Sequence, residues 1–399
     1  MQALEDVETA QAQPAPAEDG ARKREVSISY LRAFVTFLVV AHHVALVYST
    51  IKPPAMKAFT DEPRFWLVFP VADPASWVGF SIFMGWNDIF FMPLMFFVSG
   101  VLVWQSLVRK GAGGFLKQRF VRLGVPFLVM VVLGPLMYYP AYTQIAPGAS
   151  LGEYARTWLS LGNWPAGPSW FIWVLLVFNC LAAAAFRVFP GAIESFGRFF
   201  GRLGERPILF FLGLVALTQA VYMPLFLLLG PYGAIMVGPF FGQGTKMLVY
   251  LLYFFVGLGL GIHGIEAGLF ARAGRLARRW PLWGLVALVF FAGWMGAYVA
   301  GQDAAAAPVF AFSCAASGLF VTALFVRFSS NHPVLDSFSD NAYGIFVLHY
   351  VFLSWVHLAI LDFGLPAPLK GAIALASGLA ISWGVTALLR RNPTLARVI

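Results

Sequence analysis

Apolar residues along this chain are grouped into repeated runs of about 20, roughly the length of helix that crosses the hydrocarbon core of a membrane. The runs lack the spacing typical of a helix with one wet face. We therefore predict an all-α fold, a polytopic transmembrane helical bundle of about ten spans. The predicted spans cover residues 27–49, 87–108, 123–144, 169–189, 208–229, 245–265, 281–300, 308–328, 341–361 and 370–390.

Composition agrees with lipid as the solvent of most of the chain. Of 399 residues, 60% are hydrophobic and 11% are charged, whereas soluble proteins have roughly 45–50% and 25%. Residues 1–25 are polar and are predicted to be a disordered cytoplasmic tail. The first apolar run is longer than the core of a secretory signal and is interpreted as an uncleaved helix. Residues 393–399 are predicted to be a second, short cytoplasmic tail.

Basic residues lie at the ends of the apolar runs rather than in one patch, so the net charge of +9 does not indicate a nucleic-acid partner. With the amino terminus in the cytoplasm, 20 of the 27 basic residues fall on inner segments. The six on outer segments are Lys52, Lys57, Arg64, Arg156, Lys246 and Lys370. The positive-inside rule then predicts an integral protein of the plasma (inner) membrane with both termini cytoplasmic.

Cysteines and outer loops add little chemistry. Cys180 and Cys314 each fall within a predicted span and have no metal-type spacing, so we expect neither a disulfide nor a metal site. Two outer loops, 50–86 and 145–168, are long, and residues 151–161 are predicted to form a short interfacial helix. The tryptophans of this region are expected to form either a belt at headgroup depth or a substrate platform: Trp66, Trp77, Trp86, Trp158, Trp164 and Trp170.

The first span carries two polar residues that a membrane tolerates poorly. Arg32 and His43 are 11 positions apart, which places them on one helix face roughly 16 Å apart, whereas His42 is expected to point elsewhere. A neutral imidazole inside the membrane is suited to act as a general base. Arg32 keeps its charge and needs an anion, carbonyl oxygens or the headgroup boundary. The alternative is that Arg32 extends to the interface and His43 only packs.

The second and third spans supply a hydroxyl and a basic cluster. Ser99, followed by glycine, allows close helix approach and offers a hydroxyl to a neighbour or a ligand. A flexible basic loop at 109–114 is predicted to lead into a helix on which Arg119 and Arg122 share a face. This cluster suits a phosphate-rich ligand, although topology-setting charge with anionic lipid contact explains it as well.

Two further positions within the predicted spans are candidates for a functional role. His349 lies in the middle of an apolar run, where a functional role and a packing role explain it equally well. For His357 a packing role is favoured. Trp170 opens the fourth span, where we assign it a positioning role.

Together these residues resemble acyltransferase family 3, the integral membrane acyltransferases that modify surface sugars, glycans and related acceptors. The resemblance covers nearly the whole chain. It depends on Arg32 followed by ten residues and His43, Phe96-Phe97-Val98-Ser99-Gly100, Arg119-Phe-Val-Arg122 before Pro126, Pro168-Ser-Trp-Phe171, and Asn341-Ala-Tyr343-Gly-Ile-Phe-Val-Leu-His349.

The resemblance implies that residues 26–392 are the acyltransferase domain, with His43 as the catalytic histidine and Arg32 as its essential companion. It also implies that Arg119 and Arg122 bind the acyl donor. We assign Ser99, His349 and Trp170 to substrate binding as well.

The predicted reaction is O-acyl transfer from a cytoplasmic acyl-coenzyme A to a hydroxyl of a glycan, a lipid-linked sugar or a similar acceptor at the membrane or outer face. His43 would take the hydroxyl proton or carry the acyl group as an acyl-imidazole. No tightly bound cofactor and no metal is expected. The alternatives are a secondary transporter of a small polar or anionic substrate and a purely structural membrane scaffold.

Overall fold

The computed structural model describes residues 16–264 and 268–399, with side chains from residue 26 onward. The predicted tail at 1–25 therefore lies largely outside the described residues, and the first helix begins at Pro16. The predicted tail at 393–399 contains a single 3₁₀ turn, Leu395–Arg397.

Nearly all regular structure is helical, as predicted. The helices are α1 (Pro16–Tyr48), α2 (Val78–Val101), α3 (Val103–Arg119), α4 (Val125–Ile145), α5 (Leu151–Ser160), α6 (Trp170–Val188), α7 (Pro190–Gly204), α8 (Pro207–Leu229), α9 (Met247–His263), α10 (Arg275–Arg278), α11 (Trp280–Val299), α12 (Asp303–Phe328), α13 (Pro333–Ala359) and α14 (Ala367–Leu389). A π-helical turn, Phe120–Gly124, joins α3 to α4. A small antiparallel hairpin pairs β1 (Ala234–Val237) with β2 (Phe240–Gln243).

Ten helical segments of the described residues are long and apolar enough to cross a membrane, which confirms the predicted number of spans. Each predicted span overlaps one of them. Several begin with proline in the first turn, where its missing N–H costs no hydrogen bond, as in α8, α11, α13 and α14.

The boundaries of the second span were predicted wrongly. Helix α2 begins at Val78 rather than residue 87 and ends at Val101 rather than residue 108. The polar pair Asn87 and Asp88 interrupts the hydropathy pattern in the middle of this helix, yet each side chain has a partner inside the bundle. The Asn87 amide donates to the Leu38 carbonyl at 3.1 Å, and Asp88 has an ionic partner described below.

The predicted flexible loop at 109–114 is also wrong. These residues lie within α3, which is interrupted only at Gly111, where φ is +65°. Glycine accepts this left-handed conformation without steric cost, so the chain turns sharply there and resumes a helix that leads to Arg119.

Five helices form the centre of the bundle. Residues of α1, α2, α9, α12 and α13 are mostly buried, whereas α8, α11 and α14 present most of their surface outward. Helices α2 and α9 approach most closely because glycines replace side chains at their contact. A side chain at Gly257 would overlap the Phe97 backbone, and one at Gly100 would overlap the Phe254 backbone.

The helices alternate in direction, so the bundle has two distinct ends. The arginine end is defined by Arg119, Arg122 and Arg390, and the loop end by residues 50–77, α5 and the β1–β2 hairpin. The short helix predicted at residues 151–161 is present as α5, which begins with a capping box between Ser150 and Glu153. Hydrogen bonds from Ser150 hold the pKa of the Glu153 carboxyl below its ordinary value.

Two tryptophans expected in a headgroup belt pack inside the loop end instead. Trp66 and Trp158 are 2% and 5% exposed, and the Trp66 indole donates to the Phe59 carbonyl at 2.8 Å. Trp66 also packs edge-on against Tyr138. Because residues 50–77 fold back over the helices, their aromatic side chains cover the interior of the bundle. Trp77 and Trp164 remain exposed.

Candidate active site

A cavity of about 150 Å³ lies inside the bundle toward the loop end. Helix α1 lines it with Val39, His42, His43 and Leu46, a spacing that corresponds to one face of a helix. The prediction that His42 points elsewhere is wrong, because the cavity is wide enough to take two adjacent positions of this face. The His42 ring stacks on Phe91 with ring centroids 5.0 Å apart.

His43 is hydrogen-bonded to a second histidine from the far end of the chain. The distance from His43 Nδ1 to His349 Nε2 is 3.1 Å, and His349 Nδ1 lies 2.6 Å from the Phe346 carbonyl oxygen. His349 is fully buried in α13. The structure therefore joins two residues that the sequence placed in separate spans.

This hydrogen-bond chain assigns a tautomer to each neutral ring. A carbonyl only accepts, so His349 donates from Nδ1 and has a lone pair on Nε2. That lone pair accepts the Nδ1 proton of His43, which leaves His43 Nε2 unprotonated. His43 borders the cavity, so its free nitrogen is available as a base, and its ring is oriented by His349 in the way that a third group orients a catalytic histidine.

The predicted arginines gather at the arginine end. Arg32 is repelled by Arg122 and Arg390 and attracted by Asp340. Arg119 is in turn repelled by Arg122 and Arg32, and its guanidinium lies 4.9 Å above the Phe115 ring. Three like charges held close together favour an anionic ligand between them.

Two of these guanidinium groups have unused hydrogen-bonding capacity. Nε of Arg32 and Nε of Arg119 are buried and have no hydrogen-bond partner among the described residues. The π-helical turn presents Arg122, whose backbone carbonyl accepts from the Tyr343 hydroxyl. Tyr343 belongs to the same motif as His349, so α13 contacts the arginine cluster at one end and His43 nearer the other.

The remaining predicted residues are divided between the cavity and the helix interior. Trp170 lines the cavity. The Ser99 hydroxyl donates to the carbonyl of Met95 in its own helix at 2.8 Å and is not among the residues that line the cavity. His357 lies elsewhere in α13, with Nδ1 3.0 Å from the Tyr48 hydroxyl.

Sequence reasoning missed three polar residues of the cavity region. Asp88 and Gln243 line the cavity, and Lys246 Nζ lies 2.5 Å from Asp88 Oδ2. The charge pattern predicts Lys246 on an outer segment, away from any site. The sequence does show opposite charges, Asp88 and Lys246, each at the start of an apolar run. The two residues are 158 positions apart, however, and nothing in the sequence indicates that they are in contact.

These features define the class of the protein. It is an integral membrane protein with a candidate catalytic site between its helices. The family model described as an acyltransferase domain, that of acyltransferase family 3, matches residues 25–387. The chain belongs to acyltransferase family 3, which confirms the predicted family and enzyme class.

Among curated proteins, the chain is similar to relatives named glucans biosynthesis protein C. The protein from Shigella dysenteriae is 25% identical over 190 residues, which is 46% of this chain and 43% of that relative. The protein from Escherichia coli O1:K1 is 24% identical over 193 residues, with the same coverage. The matched part is thus less than half the length of these relatives. No solved structure matches the chain.

Proposed function

We propose that the protein transfers an acyl group from acyl-coenzyme A to a hydroxyl of a glycan, with His43 as the general base. The observation that carries the proposal is the chain from the Phe346 carbonyl through His349 to His43, which leaves a free nitrogen at the cavity. A glycan acceptor agrees with the family and with relatives named for glucan biosynthesis.

In the proposed reaction, the acceptor hydroxyl oxygen attacks the thioester carbonyl carbon while its proton passes to His43 Nε2. The tetrahedral intermediate then collapses, the carbon–sulfur bond breaks, and the leaving thiolate takes the proton from His43. Accepting the proton during attack makes the alcohol a competent nucleophile. The neutral His349 ring accepts the Nδ1 proton of His43 throughout, so Nε2 is the atom that takes up and returns the transferred proton.

Distance assigns Arg32 to the donor rather than to the reacting carbon. Helix α1 is continuous between Arg32 and His43, so the two residues are separated by roughly 16 Å along its axis. Arg32, Arg119 and Arg122 would therefore bind the coenzyme A phosphates, with the pantetheine arm extending toward His43. The buried, unpartnered Nε atoms of Arg32 and Arg119 support this assignment.

We propose that the arginine end faces the cytoplasm, with both termini there, and that the protein lies in the inner membrane. The donor then enters from the cytoplasm. The acceptor enters from the loop end, because loop-end residues Leu67, Phe241 and Gln243 line the cavity. The excess of basic residues on the predicted inner segments supports this orientation.

The test is acyl transfer in proteoliposomes, followed as thiol release from acetyl-coenzyme A in the presence of a gluco-oligosaccharide. We expect His43→Ala to lower the rate by about 10² to 10⁴, the usual contribution of a general base. Arg122→Ala should mainly raise the KM for the donor. Full activity in His43→Ala protein that is as abundant in the membrane as the wild type would remove the proposed base.

A further inference from the structure

Asp88 and Lys246 form an ion pair in the membrane interior that the proposed proton transfer does not use. Lys246 Nζ lies 2.5 Å from Asp88 Oδ2 and 3.2 Å from the Asp88 carbonyl oxygen. Removing two charges from water costs several kcal/mol for each ion before their attraction offsets it. Ionisable residues at membrane depth therefore usually serve a substrate path or a site.

The pair is open on one side only. The Asp88 side chain retains 33% of its accessible surface, against 10% for Lys246, and only Asp88 of the two lines the cavity. An ionised carboxylate has about four lone-pair sites, and Lys246 and Gln243 occupy part of this capacity. The remaining lone pairs of the Asp88 carboxylate face the cavity and are free to accept hydrogen bonds from a ligand there.

A second polar group beside Asp88 has no partner. His42 is 8% exposed, and its Nδ1 is buried without a hydrogen-bond partner among the described residues. His42 lines the same cavity as Asp88 and Gln243. Stacking on Phe91 fixes its ring, so a buried polar atom is held ready for a ligand that can hydrogen-bond to it.

The rest of the wall is aromatic. Trp170, Phe241 and Tyr350 line the cavity together with these polar groups. Aromatic faces suit the C–H surface of a sugar ring, and a few convergent polar groups in an apolar pocket orient a ligand. Because Lys246 neutralises Asp88, the wall has no net charge and favours a neutral ligand rich in hydroxyl groups over an ion.

We infer that Asp88, Gln243 and His42 form the acceptor subsite and bind the hydroxyl groups of a neutral saccharide unit while His43 deprotonates one of them. This inference rests on the proposed function. Asp88 accepts hydrogen bonds from two hydroxyl groups of the saccharide. The Gln243 amide and His42 bind the adjacent hydroxyl groups. Lys246 positions the Asp88 carboxylate without touching the acceptor.

The experiment measures binding of a β-linked glucose trisaccharide to the purified full-length protein, by titration calorimetry without an acyl donor. The test variant is Asp88→Leu/Lys246→Met, which removes both charges so that neither stays unpaired. The matched control is Asp73→Leu/Lys370→Met at the other buried ion pair, whose Nζ–Oδ2 distance is 2.8 Å and whose residues do not line the cavity.

We expect Kd for the trisaccharide to rise at least about tenfold in Asp88→Leu/Lys246→Met, since hydrogen bonds to a charged group are lost. The Asp73/Lys370 control should keep the wild-type Kd although its thermal stability falls. A third variant, His42→Phe, preserves the stack on Phe91 and should weaken binding about threefold or more.

An unchanged Kd in folded Asp88→Leu/Lys246→Met protein overturns the inference, as does an equal loss in the Asp73/Lys370 control. If the Asp88 variant does not fold, an unchanged Kd in His42→Phe overturns it instead. Wild-type protein that fails to bind the trisaccharide also overturns it. Binding that depends on Asp88 in protein without acyl transfer supports the subsite and removes only the proposed reaction.

Discussion

Two histidines of α13 are similar in burial but differ in what they contact. His349 and His357 are both buried, and each ring makes a hydrogen bond to another side chain. His349 bonds to His43 at the cavity, whereas His357 bonds to the Tyr48 hydroxyl away from it. Burial alone therefore does not distinguish them, but their hydrogen bonds do: both ring nitrogens of His349 are bonded, whereas Nε2 of His357 has no partner among the described residues.

Replacing His349 by leucine should lower kcat for acyl transfer by about 100-fold, because His43 loses the acceptor that fixes its tautomer. His357→Leu, in the same helix, should leave kcat within a few-fold of the wild type. Thiol release from acetyl-coenzyme A measures both, with membrane abundance as the control for folding. Equal effects of the two substitutions would contradict a special role for His349.

Glycines decide how closely the central helices pack. The contact of α2 with α9 brings the two backbones together at Gly100, Gly257 and Gly261, with no space for a Cβ atom at any of them. Lipid does not drive helices together by the hydrophobic effect, so such close van der Waals contact is a main source of stability. This contact also holds α2, and with it Asp88, against the start of α9.

Substituting Gly257 by alanine should destabilise the protein by about 1 to 3 kcal/mol, since the added methyl group overlaps the Phe97 backbone. Gly296→Ala is the matched control, because that helical glycine in α11 has no atom within 4 Å of an added Cβ. The thermal unfolding transition in detergent measures both. A Gly257→Ala protein as stable as Gly296→Ala would show that the helices separate without cost.

The distribution of charge distinguishes the two ends of the whole bundle. Two lysines of the loop end are held by local partners. Lys52 donates to the carbonyls of Val47, Asp73 and Ala75, and Lys370 is paired with Asp73. Since Lys370, Lys246 and Arg64 are paired with the carboxylates of Asp73, Asp88 and Glu62, the arginine end carries most of the unpaired positive charge.

The proposed orientation predicts which end reacts from outside the cell. In a Cys180→Ser/Cys314→Ala background, a membrane-impermeant maleimide should label Lys57→Cys at the loop end in intact spheroplasts. Arg202→Cys, exposed on α7 at the arginine end, should react only after permeabilisation. The opposite pattern would reverse the orientation and would place the acceptor side in the cytoplasm.

Much of the fold could be predicted because a membrane imposes a simple length and composition requirement on each span. The same pattern failed where polar residues find partners inside the bundle, as at Asn87 and Asp88, and where glycine bends a helix, as at Gly111. Hydropathy averages over neighbours along the chain, so it does not register a partner that arrives from another helix.

The candidate site was predictable only in part. Arg32 and His43 share one helix, so their relation follows from helical geometry. The bond between His43 and His349 spans 306 positions, and its existence depends on how α1 packs against α13.

The order of apolar and basic segments thus dictated the number of spans and the candidate residues of α1, because these depend on local chain geometry and on transfer of side chains into lipid. Tertiary packing alone decided that His349 orients His43, that Asp88 meets Lys246, and that His42 faces the same cavity. Hydrogen bonds and ion pairs act only over a few ångströms, so contacts between distant segments are set when the helices assemble.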